Sequence, residues 1–191
     1  MEKEFLADRL RVRIYPDRKS MGEAAAAGIA AAIRRVLAEK ECCNMIFAAA
    51  PSQNEVLAAL AADKTVDFTR INAFHMDEYC GLAPSAPQGF GNFLRAAIFE
   101  KAPFRSVHYL NGNAADIPAE CARYGALLEA FPTDIVCLGI GENGHIAFND
   151  PPVANFHDPV LCKQSRWIPS AASSRCTTAA FPRSSRYRRT R

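Results

Sequence analysis

Hydrophobic and polar positions along the chain follow two periods, that of a β-strand and that of an α-helix. Leu10, Val12 and Ile14 lie on one face of a predicted half-buried strand over Arg9–Ile14, which Pro16 closes. Further strands are predicted at Asn44–Ala49, Arg70–Phe74, Val107–Leu110 and Asp134–Ile140. Helices are predicted at Gly22–Ala38, Glu55–Ala62, Phe90–Glu100 and Ile117–Ala130.

Strands that are separated by helices are typical of an α/β fold with a doubly wound, mainly parallel, Rossmann-like sheet. In such sheets, ligands bind at the carboxyl ends of the strands. The loops at 50–54, 75–82 and 139–150 each follow a predicted strand, so we expect them to face one crevice. No strand or helix period continues after Leu161, so we expect the sheet to be incomplete on its C-terminal side.

Charge is distributed unevenly along the 191 residues, which carry a net charge of +3. Residues 1–158 have a net charge of −5, whereas residues 159–191 hold eight Lys and Arg and no acid. The N-terminus has no apolar signal core and no long apolar run exists, so we expect a cytoplasmic protein without membrane spans. The seven cysteines include no C-x-x-C pair, which argues against a zinc ribbon.

A glycine-rich stretch, LGIGENGHIAFNDPP, follows the last predicted strand. Gly139, Gly141 and Gly144 have the G-x-G-x-x-G spacing of a dinucleotide loop, but that loop requires a helix directly after it. Two prolines forbid a continuing helix here. The pattern therefore favours a tight turn that presents His145.

Two polar clusters follow predicted strands and offer acid–base chemistry. From spacing alone, Asp77 and Glu78 either cap a following turn or act on a substrate, and both alternatives stay open. His145 is either a structural histidine or a catalytic one. A carboxylate five residues later, at Asp150, is placed to hold the ring and to tune its proton affinity.

Three segments, FHMDEYCGL, LNGNAADI and LGIGENGHIAFNDPP, resemble in this order the glucosamine-6-phosphate deaminase/isomerase family. The resemblance spans about residues 10–160 and implies that residues 1–160 are the N-terminal part of an aminosugar-phosphate isomerase domain. It implies conversion of glucosamine 6-phosphate, a small-molecule sugar phosphate, to fructose 6-phosphate and ammonia. It also implies no metal or organic cofactor, and family members are often homo-oligomers. A 6-phosphogluconolactonase, which shares the fold but lacks the MDEY element, is the alternative.

The resemblance also assigns roles to individual residues. Asp77 matches the aspartate that moves a proton between C2 and C1 of the open-chain sugar. His145 matches the histidine that assists ring opening, and Asp150 stands where the family often has a supporting glutamate. Asn143 replaces an aspartate of the family, so it can orient the histidine without carrying charge. Gly141 permits a close approach of substrate.

The first phosphate-binding loop departs from the family pattern. A Thr-Gly-Gly-Thr-like run is replaced by Ala-Ala-Pro-Ser-Gln-Asn at residues 49–54. Ser52, Gln53 and Asn54, together with backbone N–H groups at the helix start, are the candidate phosphate contacts. The arginine and lysine with which the family holds phosphate have no assignable counterpart.

Residues 161–191 form a basic tail that is rich in Ser, Arg and Thr. We favour a shifted reading frame for this tail. When the tail is back-translated with GC-rich codons and read in a neighbouring frame, the resulting sequence resembles the family's continuation. The chain would then be truncated, and an inactive fragment is an alternative to an active enzyme. There are two other hypotheses. The tail is disordered, or it is an arm that binds nucleic acid or a membrane, with Trp167 and Tyr187 stacking on bases. We expect neither nucleic acid nor membrane as a partner.

Overall fold

The computed structural model describes residues 1–151, 153–166 and 174–177. The strands in these ranges are β1 Lys3–Ala7, β2 Leu10–Ile14, β3 Cys43–Phe47, β4 Ile71–His75, β5 Ser106–His108, β6 Ile135–Cys137, β7 Lys163–Arg166 and β8 Ser174–Thr177. The α-helices are α1 Arg18–Glu39, α2 Asn54–Ala62, α3 Phe90–Leu94 and α4 Ile117–Ala130. Strands and helices alternate from β3 to β6, as the sequence predicts.

The central sheet has the strand order β5-β4-β3-β6, and every neighbouring pair in it is parallel. The chain moves outward from β3 through β4 to β5 and then returns to the other side of β3. The strand order therefore reverses between β3 and β6. Ligands of open α/β sheets bind in the crevice at such a reversal, outside the carboxyl ends of the strands.

Helices cover both faces of this sheet, which confirms the doubly wound fold. One hydrophobic cluster joins the sheet to Ile33 of α1, Leu60 of α2 and Leu94 of α3. A second cluster on the opposite face contains Tyr124 and Leu128 of α4. Burial of such side chains contributes roughly 1.5–3 kcal/mol each, so the two layers fix the sheet rigidly beneath its loops.

A buried row of polar side chains fixes the register of three strands. Asn44, Asn72 and Ser106 lie side by side on β3, β4 and β5. The Asn72 amide donates to Asn44 Oδ1 at 2.8 Å, and the Ser106 hydroxyl donates to Asn72 Oδ1 at 2.8 Å. A slip in register would leave these buried groups unpaired. The carboxyl ends of the strands are thereby held in alignment.

The N-terminal strands form a separate antiparallel hairpin, β1–β2. The predicted strand at Arg9–Ile14 is confirmed in position, but its predicted half-burial holds for Val12 alone. Leu10 and Ile14 are 63% and 42% exposed. Their face stays open to solvent among the described residues, since the hairpin does not join the central sheet.

Several local features differ from the expectations. Helix α1 begins at Arg18 rather than at Gly22, and Asp17 caps it by accepting from Ser20 N. No side chain caps α2. The predicted helix Phe90–Glu100 divides into α3 and a π-helical segment, Arg95–Phe99. After Leu161 the antiparallel strands β7 and β8 form where no strand period is visible. The proposed contacts of Trp167 and Tyr187 lie outside the described residues. None of the described helices has the length and apolarity of a membrane span.

Candidate active site

Two loops meet where the strand order reverses, between β3 and β6. A hydrogen bond from Ala48 N to Cys137 O, 3.0 Å long, ties the start of one loop to the end of β6. Farther along, the Gln53 amide nitrogen lies 3.8 Å from the position that a Cβ would occupy on Gly139. The candidate phosphate loop and the glycine-rich loop are therefore neighbours, as the topology predicts.

The glycine-rich loop, residues 138–151 and here called the histidine loop, is built from tight turns. Gly144 adopts a φ of +83°, in the left-handed region that favours glycine. Gly144 N donates to Gly141 O, and Gly141 N donates to His145 O, each at 2.9 Å. The described part of this loop contains no helix, so the geometry of a dinucleotide fingerprint is missing.

His145 is held by a short polar network. Asn143 Oδ1 accepts from His145 N at 3.1 Å and lies 2.7 Å from His145 Nδ1. An amide oxygen only accepts, so Nδ1 carries a proton and Nε2 is the basic nitrogen of the neutral ring. The Asn143 amide donates to Asp150 Oδ1 at 2.7 Å, and that oxygen lies 3.4 Å from His145 Nδ1.

Gly141 lies directly against this ring. A Cβ at this position would lie 2.2 Å from His145 Cε1 and 2.4 Å from Nδ1. Only glycine therefore allows the ring to take the observed position. The sequence predicts a close approach of substrate at Gly141, and the structure shows a close approach of the His145 ring.

Asp77 and Glu78 follow β4 in the aspartate loop, residues 76–82, but they have different surroundings. Glu78 accepts from the N–H groups of Phe90 at 3.0 Å and Gly91 at 2.8 Å, so it caps α3 across the sequence. The capping alternative thus applies to Glu78. Asp77 is 7% exposed and lies at the end of β4, where Met76 N donates to Phe47 O of β3.

The candidate residues of the phosphate loop differ in their exposure to solvent. Ser52 and Asn54 are exposed, and Gln53 is buried. Arg18 of α1 donates to Pro51 O at 2.8 Å, which fastens this loop to α1. No side chain caps α2, which continues directly from the 3-10 turn at Pro51–Gln53, and Asn54 N–H donates to Pro51 O within this turn.

A cavity of 520 Å³ lies between the phosphate loop and the aspartate loop. Ala50 and Pro51 line one side, and Tyr79, Leu82 and Phe90 line the other. Its walls are mainly apolar, so the polar groups of the neighbouring loops act in partly dehydrated surroundings. Within the described ranges, no three His, Cys, Asp or Glu side chains cluster as metal ligands.

His75 is a buried polar residue to which the sequence assigned no role. Its ring is completely buried, and among the described residues its Nε2 has no hydrogen-bond partner. Burial lowers the pKa of His75 from 6.5 to about 3. Glu78 Oε2 lies 3.7 Å from Nε2, which is too long for a hydrogen bond, and the neutral ring forms no ion pair. In the predicted strand, His75 lies on the same face as Ile71 and Ala73, and this period of two could have placed the ring in the core.

Acidification should destabilise the fold through His75. The folded state keeps the ring neutral, so the stability is fully present above pH 6.5 and is lost as the pH falls from 6.5 toward 3. The loss is about 1.4 kcal/mol per pH unit while only the unfolded state is protonated. Urea unfolding at several pH values measures it. In His75→Gln, the slope of the unfolding free energy against pH should become flatter. The control His157→Gln, at an exposed histidine, should keep the slope of the wild type. Equal slopes in the two variants would contradict the assignment to His75.

The family is settled by the sequence comparison. A model of the family "Glucosamine-6-phosphate isomerases/6-phosphogluconolactonase" matches residues 16–179. The chain belongs to this family. The glucosamine-6-phosphate deaminase of Lactobacillus delbrueckii subsp. bulgaricus is 43% identical over 86 residues, which are 45% of this chain and 37% of that protein. The deaminase of Listeria welshimeri is 42% identical over 108 residues, 56% of this chain and 46% of that protein.

Solved structures of the family share the fold. A monomeric glucosamine-6-phosphate deaminase superposes with a TM-score of 0.66 at 29% identity, covering 74% of this chain and 59% of that one. The 6-phosphogluconolactonase of Thermotoga maritima gives a TM-score of 0.75 at 20% identity, covering 87% and 75%. The latter likeness shows the fold alone. The matches to the curated deaminases span less than half the length of those proteins.

Proposed function

We propose that the chain carries the acid–base residues of an amino-sugar-phosphate deaminase, which converts glucosamine 6-phosphate to fructose 6-phosphate and ammonia. The observation that carries the proposal is the placement of the Asp77 carboxylate and the His145 network at the carboxyl edge of one parallel sheet. The curated relatives named as deaminases support this choice within the family. We place the reaction in cytoplasmic amino-sugar catabolism.

The proposed chemistry needs one base that removes a proton from one carbon and delivers it to the neighbouring carbon. Asp77 takes the proton from C2 of the open-chain sugar and returns it to C1, which a carboxylate held at a fixed position can do. This transfer leaves an imine at C2. Water then adds to C2 and the C–N bond breaks, so ammonia leaves and the ketone of fructose 6-phosphate remains. His145 assists ring opening through Nε2, because Nδ1 is engaged with Asn143. Asp150 and Asn143 orient the imidazole, and no cofactor enters these steps.

The substrate phosphate is proposed to lie at the start of α2. The side chains of Ser52, Gln53 and Asn54 are the proposed neutral donors, at the turn that leads into α2. Gly141 keeps the histidine loop close to the sugar. Residues 1–160 are proposed to form the part of the domain that holds these groups. Residues 161–191 are proposed to be a basic tail, whose start at Cys162 packs with Tyr124 of α4.

Ammonia release from glucosamine 6-phosphate by the purified chain tests the proposal, with fructose 6-phosphate measured in parallel. Both products should appear at the same rate. Acid release from 6-phosphogluconolactone without ammonia would favour the lactonase instead. A folded chain without either activity would favour an inactive fragment, and circular dichroism establishes whether the chain is folded.

Asn143→Asp should lower kcat although it restores the acid of the family pattern. The Asn143 amide donates to Asp150 Oδ1 at 2.7 Å, so an aspartate there would bring two carboxylates together. Their repulsion is roughly 1–4 kcal/mol between bulk water and a partly buried site, equivalent to about fivefold to nearly 10³-fold in rate. Steady-state kinetics of ammonia release measures the change.

A double variant provides the control for this prediction. Asn143→Asp combined with Asp150→Asn exchanges the amide and the carboxylate, so the donor–acceptor pair between the two positions is restored. Most of the lost kcat should return. If Asn143→Asp alone matches the wild type, the amide is not needed and the network has no role in the reaction.

A further inference from the structure

Phe148 is the residue through which the histidine loop contacts α3 and the aspartate loop. Its ring stacks on Phe90 of α3 with centroids 5.6 Å apart and an interplanar angle of 16°. The same ring lies 5.9 Å from the ring of Tyr79 in the aspartate loop and 5.9 Å from the ring of His145. One aromatic side chain thus bridges the two loops that carry the acid–base residues.

The backbone beneath Phe148 is strained. Ala147 and Phe148 have φ values of 49° and 50°, in the left-handed region that residues with a Cβ rarely adopt. Asn149 N donates to Ile146 O at 3.1 Å and closes a tight turn around them. The Asn149 amide also donates to Ile146 O and Ala147 O. Such strain persists only where the surroundings determine the conformation, and the stacked ring is one such determinant.

Phe90 continues the same connection on the other side. Its ring contacts Phe148, while its backbone N–H donates to Glu78 Oε1 at 3.0 Å. Glu78 directly follows Asp77 in the chain. A continuous series of contacts therefore runs from the aspartate, through the start of α3, to the loop of His145.

We propose that Phe148 is a positioning residue that holds the histidine loop against Phe90 and Tyr79, and so sets the placement of His145 relative to Asp77. The proposal rests on the proposed deaminase function for its kinetic consequence. It concerns the ring of Phe148 and not the strain of the turn, and the two contributions can be separated by substitution.

Two variants separate the effect of the Phe148 ring from the effect of the backbone strain at Ala147. Phe148→Leu keeps an apolar side chain but removes the stacking surface, and kcat should fall about tenfold while KM changes little, because misplacement of a catalytic group acts on the chemical step. Ala147→Gly relieves the neighbouring left-handed residue and leaves the ring, so kcat should stay at the wild-type value. Phe90→Leu should repeat the effect of Phe148→Leu, and the double variant should be no worse than either single one.

A second measurement does not depend on turnover. The imidazole proton resonances of His145, assigned by their loss in His145→Asn, should shift in Phe90→Leu, which keeps the ring of Phe148 beside the imidazole, and should stay in place in Ala147→Gly. If the wild type releases no ammonia, the proposed function fails, and the resonances in Phe90→Leu still decide the position of the loop. Unshifted His145 resonances in Phe90→Leu, or a wild-type kcat of Phe148→Leu in an active enzyme, would overturn the proposal. Should Phe148→Leu not fold, Phe90→Leu gives the same decision from the side of α3.

Discussion

Asp77→Asn should lower the rate of ammonia release from glucosamine 6-phosphate by about 10³-fold, within the range that one general base contributes. The amide has nearly the same shape as the carboxylate but cannot accept the proton from C2. Asp77 is 7% exposed at the end of β4, so its direction is fixed by the sheet rather than by a mobile loop. Kinetics and the exchange of the C2 proton with deuterated solvent should both show the loss.

The matched control is the same chemical change far from the site. Asp8 lies in the exposed turn between β1 and β2 and has a φ of 53°. Asparagine tolerates this conformation well, so Asp8→Asn should not strain the turn. It should leave both the rate and the exchange unchanged. Asp77→Asn with more than about a tenth of the wild-type rate, in an otherwise active enzyme, would exclude Asp77 as the proton carrier, since a lost base costs far more.

Gly141→Ala should lower kcat by about 100-fold, the effect expected when a catalytic group moves by about 1 Å. The new methyl group would lie 2.2–2.6 Å from three ring atoms of His145, so the ring must leave its place beside Asn143. The ring is on the end of a rotatable side chain, so it can move without unfolding the chain. Kinetics and thermal melting together should show an inactive but folded protein.

Gly28→Ala is the control for the added methyl group. Gly28 lies in α1 and a Cβ there would meet nothing within 4 Å. The variant should be equally active and more stable by up to about 1 kcal/mol, because alanine is the better helix former. Wild-type kcat in Gly141→Ala would show that the observed ring position is not required for the reaction.

The sheet and its helices were predictable because they depend on local periodicity. Every residue of Cys43–Phe47 and Ile71–His75 is buried, because both faces of a parallel sheet are covered. Short apolar runs separated by helices indicate that arrangement. The first strand, Lys3–Ala7, was missed because no alternation marks it. Its pairing with β2 is set by the turn at Asp8, which a period cannot reveal.

The contacts within the histidine loop were not predictable from the sequence. The spacing of His145 and Asp150 indicates a pair, yet it does not show that Asn143 lies between them as acceptor for one and donor for the other. Likewise, no local pattern relates Glu78 to N–H groups twelve and thirteen residues away. These contacts arise from the packing of separate loops, which depends on the whole fold.

The amide at Asn143 has a consequence for how an anionic ligand arrives. With one carboxylate beside His145, at Asp150, the cluster becomes electrically neutral when the ring takes up a proton. A pair of acids in the same places would leave a negative charge facing a sugar phosphate, and within a Debye length of about 8 Å salt would screen it only in part. In the proposed reaction, the amide orients the imidazole by hydrogen bonding and spares the substrate phosphate that repulsion.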